Sequence, residues 1–454
     1  MFRCASLAGQ PHDKLAEILA IHRFRGAPPP CAGNIRASRF VPSKRPRNFR
    51  AQANSGISIT SKPMRFHDFD PGGVMQFIDL GAQRERLGGR LKAAIDRVVE
   101  GGQYILGPEV AEFERQIAAY VGVKHAIACA NGTDALLLPL YAAGIGPGDA
   151  VFVPSFTFAA TAEVVALAKA EPVFVDIDPD TYNIDIASLE AAIDMVKREG
   201  RLKPRAIIPV DLFGLAADYD AIGRIAETEG LMVIEDAAQS MGGTLGGRKC
   251  GVFGTVAGTS FYPAKPLGCY GDGGAMFTDN DELAAKLRSL AFHGKGETQY
   301  DNIHVGLNSR LDTLQAAILI EKLAILEDEM ITRQKVAARY AAGLGDVVKV
   351  ASARQGSRSA WAQYAIETPH RDALKAQLQS LGIPTVVYYV KPLHQQVAYR
   401  HHQRTPSGLP VSEALPERIL CLPMHAYLSA ADQDRIIGAI RSFVAAHPAQ
   451  IAAE

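Results

Sequence analysis

The sequence predicts an α/β protein built on a mostly parallel β-sheet sandwiched by helices, with a smaller α/β unit toward its C-terminal end. Short apolar runs recur at 126–129, 150–153, 172–175, 206–210 and 231–234. Helical patterns of about 10 to 20 residues separate them, and runs apolar on both faces belong to strands covered on both sides. Polar residues follow the runs, as in Asn131-Gly132-Thr133, Pro154-Ser155-Phe156-Thr157 and Asp236. The carboxyl ends of parallel strands are where such folds collect functional groups.

In chain order, residues 1–74 are unlike the rest. Pro28-Pro29-Pro30, an Arg- and Pro-rich run over 44–50 and Asn54-Ser55-Gly56 break them up, and only 13–23 has the pattern of a short helix. Such a composition buries too little apolar surface to offset ordering, so a basic, disordered or weakly ordered extension is expected. A translation start at Met64 or Met75 accounts for it more simply than a transit peptide, although its Arg-rich, acid-poor character suits either. From Met75 the pattern is regular: a helix over 83–99, then Gly101-Gly102-Gln103-Tyr104, then a helix over 109–120, then the alternation of strand and helix. One long helix or two joined ones should occupy 311–344. Strand-like stretches at 362–366 and 385–389 and a final helix over 430–446 follow, giving a large domain, 75–335, and a small one, 336–454.

The 454 residues are 48% hydrophobic, enough for a large core. The formal charge of zero hides an asymmetry: 1–74 carry 12 Lys/Arg against 4 Asp/Glu, leaving 36 against 44 beyond. A mildly acidic body without a basic stripe gives no electrostatic reason to expect a nucleic-acid partner. The six cysteines lack metal-ligand spacing, and no stretch approaches the ~20 apolar residues of a membrane span. Small-molecule chemistry in a reducing cytoplasm is expected.

Three motifs carry chemistry. Asn131-Gly132-Thr133 stands where a strand turns into an apolar helix, so free N–H groups and the positive helix end could hold a phosphate; an ordinary helix cap by Asn or Thr is the alternative. Asp236 closes a buried strand, where an ionised carboxylate needs a partner such as a pyridinium N–H, or else caps the next helix. The strongest signal is Lys265, alone between Pro263 and Pro266 in an apolar, glycine-rich stretch. Held there with few waters, its amine is suited to imine formation with an aldehyde, whereas a solvated surface lysine would not be. Gly271-Asp272-Gly273-Gly274 lacks the preceding strand of a dinucleotide loop. His293 and His425 have no neighbouring ligands at metal spacing and read as structural or substrate-edge residues.

Five stretches, Gly102-Gln103-Tyr104-Ile105-Leu106-Gly107-Pro108, Asn131-Gly132-Thr133-Asp134-Ala135, Glu235-Asp236-Ala237-Ala238-Gln239, 260–265 and Asn308-Ser309-Arg310-Leu311-Asp312, together resemble the nucleotide-sugar aminotransferases of the DegT family. The resemblance covers essentially all of 75–454. It implies the fold-type-I architecture of pyridoxal 5'-phosphate (PLP) enzymes and transamination of a keto sugar nucleotide. Within the family the chain is most similar to enzymes that aminate UDP-2-acetamido-2-deoxy-3-oxo-glucuronate for bacterial surface polysaccharides, with glutamate as the expected amino donor.

The same resemblance implies residue roles. Lys265 would bond the cofactor aldehyde and move a proton between substrate and cofactor, and Asp236 would pair with the pyridine nitrogen. Gln239 and Phe158 would cover the two sides of the ring, while Gly132, Thr133 and Ser260 hold the phosphate. Asn308 would reach that phosphate from the neighbouring subunit, which implies a homodimer with shared active sites. Arg310, Tyr389 and His394 are the implied substrate residues, with Arg310 suited to a uronate carboxylate. Around Tyr389 the chain departs from the family's His-Tyr-Pro pattern, with Tyr388 in the His place and Val390 in the Pro place. Three rivals stand beside this reading. A sugar dehydratase of the same fold is disfavoured by Lys265, which such relatives replace with His. An aminotransferase for another dTDP- or UDP-linked keto-deoxysugar is the second. The third, a non-catalytic regulatory or sensor relative, is disfavoured because Lys265, Asp236 and Gln239 are present together.

Overall fold

The computed structural model describes residues 75–298 and 300–447, so the expectations for 1–74 lie outside the described residues. The described chain begins with α1 (Leu80–Leu87), α2 (Gly89–Gly101) and α3 (Pro108–Val121). The single helix expected over 83–99 is two, because Gly88 adopts φ +56°, a conformation that ends α1 and that glycine takes at little cost. Strands and helices then alternate: β1 (His125–Cys129), α4 (Gly132–Ala142), β2 (Asp149–Pro154), α5 (Ala160–Leu167), β3 (Glu171–Val175), α6 (Ile186–Glu199), β4 (Lys203–Ile207), α7 (Tyr219–Glu229) and β5 (Met232–Asp236). A short hairpin, β6 (Thr244–Leu245) and β7 (Arg248–Lys249), precedes β8 (Val256–Ser260), β9 (Gly274–Thr278), α8 (Asp281–Ala291) and the long α9 (Thr313–Leu344).

These strands form a seven-stranded sheet in the order β1-β9-β8-β5-β4-β2-β3. Every pairing is parallel except the two made by β9, which runs against β1 and β8. Alternate residues feed opposite faces. Ile127, Val151, Val153 and Ile234 pack with α4, α5 and α8. Ala126 and Ala128 pack with α3 and α9, and Phe152, Val173 and Val233 with α6 and α7. Helices on both faces exclude water from the sheet and leave the strand ends as the open part, which is where the polar residues lie.

The C-terminal part holds β10 (Lys349–Val350), β11 (Ser357–Arg358), β12 (Tyr364–Glu367), α10 (Arg371–Ser380), α11 (Pro410–Ala414), β13 (Ile419–Leu422) and α12 (Ala430–Ala446). Its three-stranded sheet, β10-β12-β13, is antiparallel throughout, and β11 pairs with β6 of the larger part. No strand forms over 385–389: Val386 alone bridges to Cys421, while Tyr388 and Tyr389 pack against Phe77 and Phe156. The long α9 crosses position 335. Its residues up to Met330 join the core of the large sheet, and those from Val336 join the C-terminal core with Tyr364 and Leu420. Among the described residues, no helix is long and apolar enough to cross a membrane.

Candidate active site

The ends of β1, β2, β5 and β8 bring the sequence motifs to one edge of the sheet. At the end of β5, Asp236 is 6% exposed. Its Oδ2 accepts the Thr161 hydroxyl of α5 at 3.0 Å, and its Oδ1 accepts the Ala238 N–H at 3.2 Å. Burial pushes its carboxyl up to about 6, while the Ala238 N–H and the nearby Lys265 amine pull the other way. The carboxyl is therefore ionised at neutral pH, with lone pairs to spare on both oxygens.

Lys265 is half-buried on the loop between β8 and β9, in a turn closed by its own N–H to the Tyr262 carbonyl at 2.9 Å. Burial lowers its amine below the ordinary lysine value, and the Asp236 carboxylate opposes that shift. A lowered amine has a larger unprotonated fraction, the form that attacks a carbonyl and accepts a proton.

The turn into α4 is a helix cap with donors to spare for an anion. Asn131, in extended conformation, caps the helix by accepting the Asp134 N–H at 2.8 Å, and its carbonyl accepts the Ala135 N–H at 3.1 Å. The N–H groups of Gly132 and Thr133 have no partner among the described residues, at the positive end of the helix. Ser260 at the end of β8 closes the cradle: a methyl group on Gly132 would sit 2.6 Å from its Cβ, so only glycine permits this approach. The Ser260 hydroxyl accepts the Tyr262 N–H at 3.3 Å. Gly274, last of the glycine run, starts β9, so that run opens a strand.

Gln239 is buried, its Oε1 accepting the Phe213 N–H at 2.9 Å and its Nε2 reaching the Tyr389 hydroxyl at 3.4 Å. Tyr389 packs edge-on against Phe156 at 5.7 Å, and burial raises its hydroxyl pKa. Phe158 is 58% exposed, its carbonyl accepting the Thr161 N–H at 3.3 Å. Asn308 is exposed, pairs through its backbone with Phe292, and makes no side-chain hydrogen bond within the described residues. Arg310 lays its guanidinium over the Phe292 ring at 4.9 Å. His394 is buried with both nitrogens engaged: Nε2 meets Glu413 at 3.0 Å and Nδ1 the Ser155 hydroxyl at 2.6 Å. Because the carboxylate only accepts, Nε2 carries the hydrogen and Nδ1 accepts from Ser155. Burial holds this imidazole below its usual pKa.

Sequence reasoning missed Thr161, whose signal is slight: a lone hydroxyl in Ala159-Ala160-Thr161-Ala162 shortly after a strand. It also missed a buried cluster of Asp211, Glu235 and Cys250 behind Asp236. There the carboxylate oxygens already accept from Ser240, Tyr219 and the N–H groups of Ala217, Gly251 and Phe253. His425 is buried and held near 4, first by burial and then by Arg333, so it is neutral at physiological pH.

An anion cradle, an ionised buried carboxylate and a lysine with a lowered pKa, all at one sheet edge, fit the phosphate, ring nitrogen and aldehyde of PLP. Comparison with known proteins agrees. The aminotransferase UDP-2-acetamido-2-deoxy-3-oxo-D-glucuronate aminotransferase of Pseudomonas aeruginosa is 49% identical over 368 residues, 81% of this chain and 99% of its own. A crystal structure of a DegT DnrJ EryC1 StrS aminotransferase from Brucella abortus is 69% identical, with a TM-score of 0.81 over 81% of this chain and 99% of that one. NtdA of Bacillus subtilis, solved with bound cofactor PMP, is 29% identical, with a TM-score of 0.72 over 81% of this chain and 83% of that one. The sequence model of one family matches residues 86–441. On a match of that length, the chain belongs to the DegT/DnrJ/EryC1/StrS aminotransferase family.

Proposed function

We propose that this PLP-dependent aminotransferase places an amino group on UDP-2-acetamido-2-deoxy-3-oxo-glucuronate, with glutamate as donor, in the cytoplasm and in the service of surface polysaccharide synthesis. The observation that carries the substrate is the 49% identity with the Pseudomonas aeruginosa enzyme across 99% of that enzyme's length. Bound PLP supplies an electron sink and carries the amino group from donor to acceptor.

The chain's own residues do the rest. The N–H groups of Gly132 and Thr133 and the Ser260 hydroxyl hold the phosphate, and the ionised Asp236 holds the ring N–H. Gln239, fixed by the Phe213 N–H, and Phe158 would cover the ring. The Lys265 amine would hold the cofactor at its aldehyde end and would take and return the proton at the substrate carbon, a task its lowered pKa favours. Arg310, its guanidinium over the Phe292 ring, would meet the uronate carboxylate. Tyr389 borders the sugar through its hydroxyl, and His394 supports the same wall through Ser155. Asn308 serves the partner subunit's phosphate site in a homodimer.

The test converts the enzyme to its amine form with glutamate, removes the donor, and adds keto sugar nucleotides one at a time while the cofactor spectrum is followed. The UDP-linked 3-oxo-uronate should restore the aldehyde form fastest. A faster response to an uncharged dTDP-linked keto-deoxysugar, with none to the uronate, would overturn the substrate reading.

A further inference from the structure

Asp236 is held from the side by a residue that belongs to no recognised motif. Thr161, in the first turn of α5, is fully buried, and its hydroxyl donates to Oδ2 of Asp236 at 3.0 Å. Thr157, also buried, has its own hydroxyl 3.4 Å from that of Thr161. Since Thr161 gives its single hydrogen to Asp236, Thr157 is the donor between the two. The helix around Thr161 is apolar, with Ala162, Val164 and Val165 all at 0% exposure. A hydroxyl there costs desolvation that only a hydrogen bond offsets, and Asp236 supplies the acceptor.

We propose that Thr161 is a positioning residue of the cofactor site: its hydroxyl fixes the plane of the Asp236 carboxylate and keeps it ionised for the cofactor's ring N–H, with Thr157 orienting that hydroxyl. The proposal rests on Asp236 being the ring-nitrogen partner. Each oxygen of Asp236 takes one protein donor, Thr161 or the Ala238 N–H, and keeps a lone pair for the ring. Three titratable groups face the carboxylate: Lys265 from its loop, which favours the ionised form, Asp211 beyond β4, which opposes it, and Tyr389. Burial has already raised Asp236 to about 6, so loss of the Thr161 donor moves its ionisation higher.

Pyridoxamine 5'-phosphate forms no bond to Lys265 and so isolates this contact. Its affinity for the cofactor-free full-length protein is measured across the pH range around 6. A cofactor arriving with a protonated ring nitrogen needs an ionised Asp236, so affinity falls as the pH drops through that value. Thr161→Val should move the midpoint up by about one unit, which at pH 6 is roughly fivefold weaker binding, nearing tenfold below that pH and converging on wild type at higher pH. Thr161→Ser should restore the wild-type curve, and Thr161→Ala, which adds no bulk, carries the same test should the valine variant misfold. An unshifted midpoint, or an equal loss at every pH that serine does not repair, overturns the proposal. Asp236→Asn separates it from the reading beneath it. The cofactor phosphate titrates in the same range in every variant and cancels in the comparison: an Asp236→Asn curve that keeps the wild-type shape refutes the ring-nitrogen role of Asp236 itself, whereas an Asp236→Asn curve that loses part of the wild-type pH dependence, with an unshifted Thr161→Val curve, refutes Thr161 alone.

Discussion

Asp236 and Lys265 form an opposed pair: burial drives the acid up and the amine down, and each charge partly corrects the other. The ionised acid is what a ring nitrogen needs in order to stay protonated and draw electrons. Asp236→Asn keeps the shape but not the charge, so it should retain cofactor weakly while turnover falls by roughly 10²-fold or more, on the scale of a lost electrostatic stabiliser. Steady-state kinetics with saturating cofactor checks this, and a near-native rate would reduce Asp236 to a structural cap. At this scale the sequence was legible where a residue contradicts its surroundings, as a lysine between two prolines does, or a carboxylate at the end of an apolar run. Thr161 contradicts nothing, since a threonine in an alanine-rich stretch is ordinary, and only its 3.0 Å contact with Asp236 marks it. The anchoring of His394 by Ser155 and Glu413 joins residues far apart in sequence, and no spacing could show it.

Among the elements, β1, β2, β3 and β5 could be read from sequence because their central residues are apolar and buried on both faces, whereas the apolar run at 206–210 meets β4 only at Ala206 and Ile207, since that strand opens with Lys203, Pro204 and Arg205, none of them buried. β8 and β9 escaped because Gly258, Thr259, Ser260 and Gly274 interrupt the run, although the strands are almost wholly buried. The small residues are there for packing: α4 lies directly on β8 at Gly258. Behind β5, Glu235 accepts the Gly251 and Phe253 N–H groups, and Asp211 accepts from Ala217, Tyr219 and Ser240. Both acids are 0% exposed, so burial raises their pKa values, the Asp211 charge adds to the rise at Glu235, and Glu235 holds its proton to higher pH than the unfolded chain does. The folded state thus holds protons that the unfolded chain releases. This contribution to stability is complete below the unfolded carboxylate value of about 4.5 and is lost as pH rises through the higher folded value. Glu235→Gln should be less stable throughout, since one N–H loses its acceptor, yet show a flatter decline of stability toward alkaline pH. Urea-unfolding midpoints across that range check the slope, and parallel curves for the two proteins would contradict it.

For the molecule as a whole, the exposed Asn308 and the apolar Tyr104, Ile105 and Leu106, each nearly half exposed, suit a face covered by a second copy. Ile105 pairs with Asp312, which places that apolar stretch beside the Asn308 segment. If the partner completes the phosphate site, Lys265→Ala and Asn308→Ala chains, each inactive alone, should regain activity when mixed. Random exchange gives roughly a quarter of the wild-type sites, because half of the dimers are mixed and each of those holds one intact site. A mixture as inactive as its parents after verified subunit exchange would place Asn308 outside the partner's site. Lys265 is proposed as the one amine that carries the cofactor, and the described residues offer a built-in competitor. Lys322 is 1% exposed, its pKa is lowered to about 8 by burial, and it is tied to the Gly268 carbonyl at 2.6 Å on the same loop. Borohydride reduction of the cofactor-loaded enzyme, followed by peptide mass spectrometry, reads directly which lysine bears the cofactor. A phosphopyridoxyl adduct should appear on Lys265 alone and be absent in Lys265→Ala; an adduct on Lys322, or normal trapping in Lys265→Ala, would contradict that assignment.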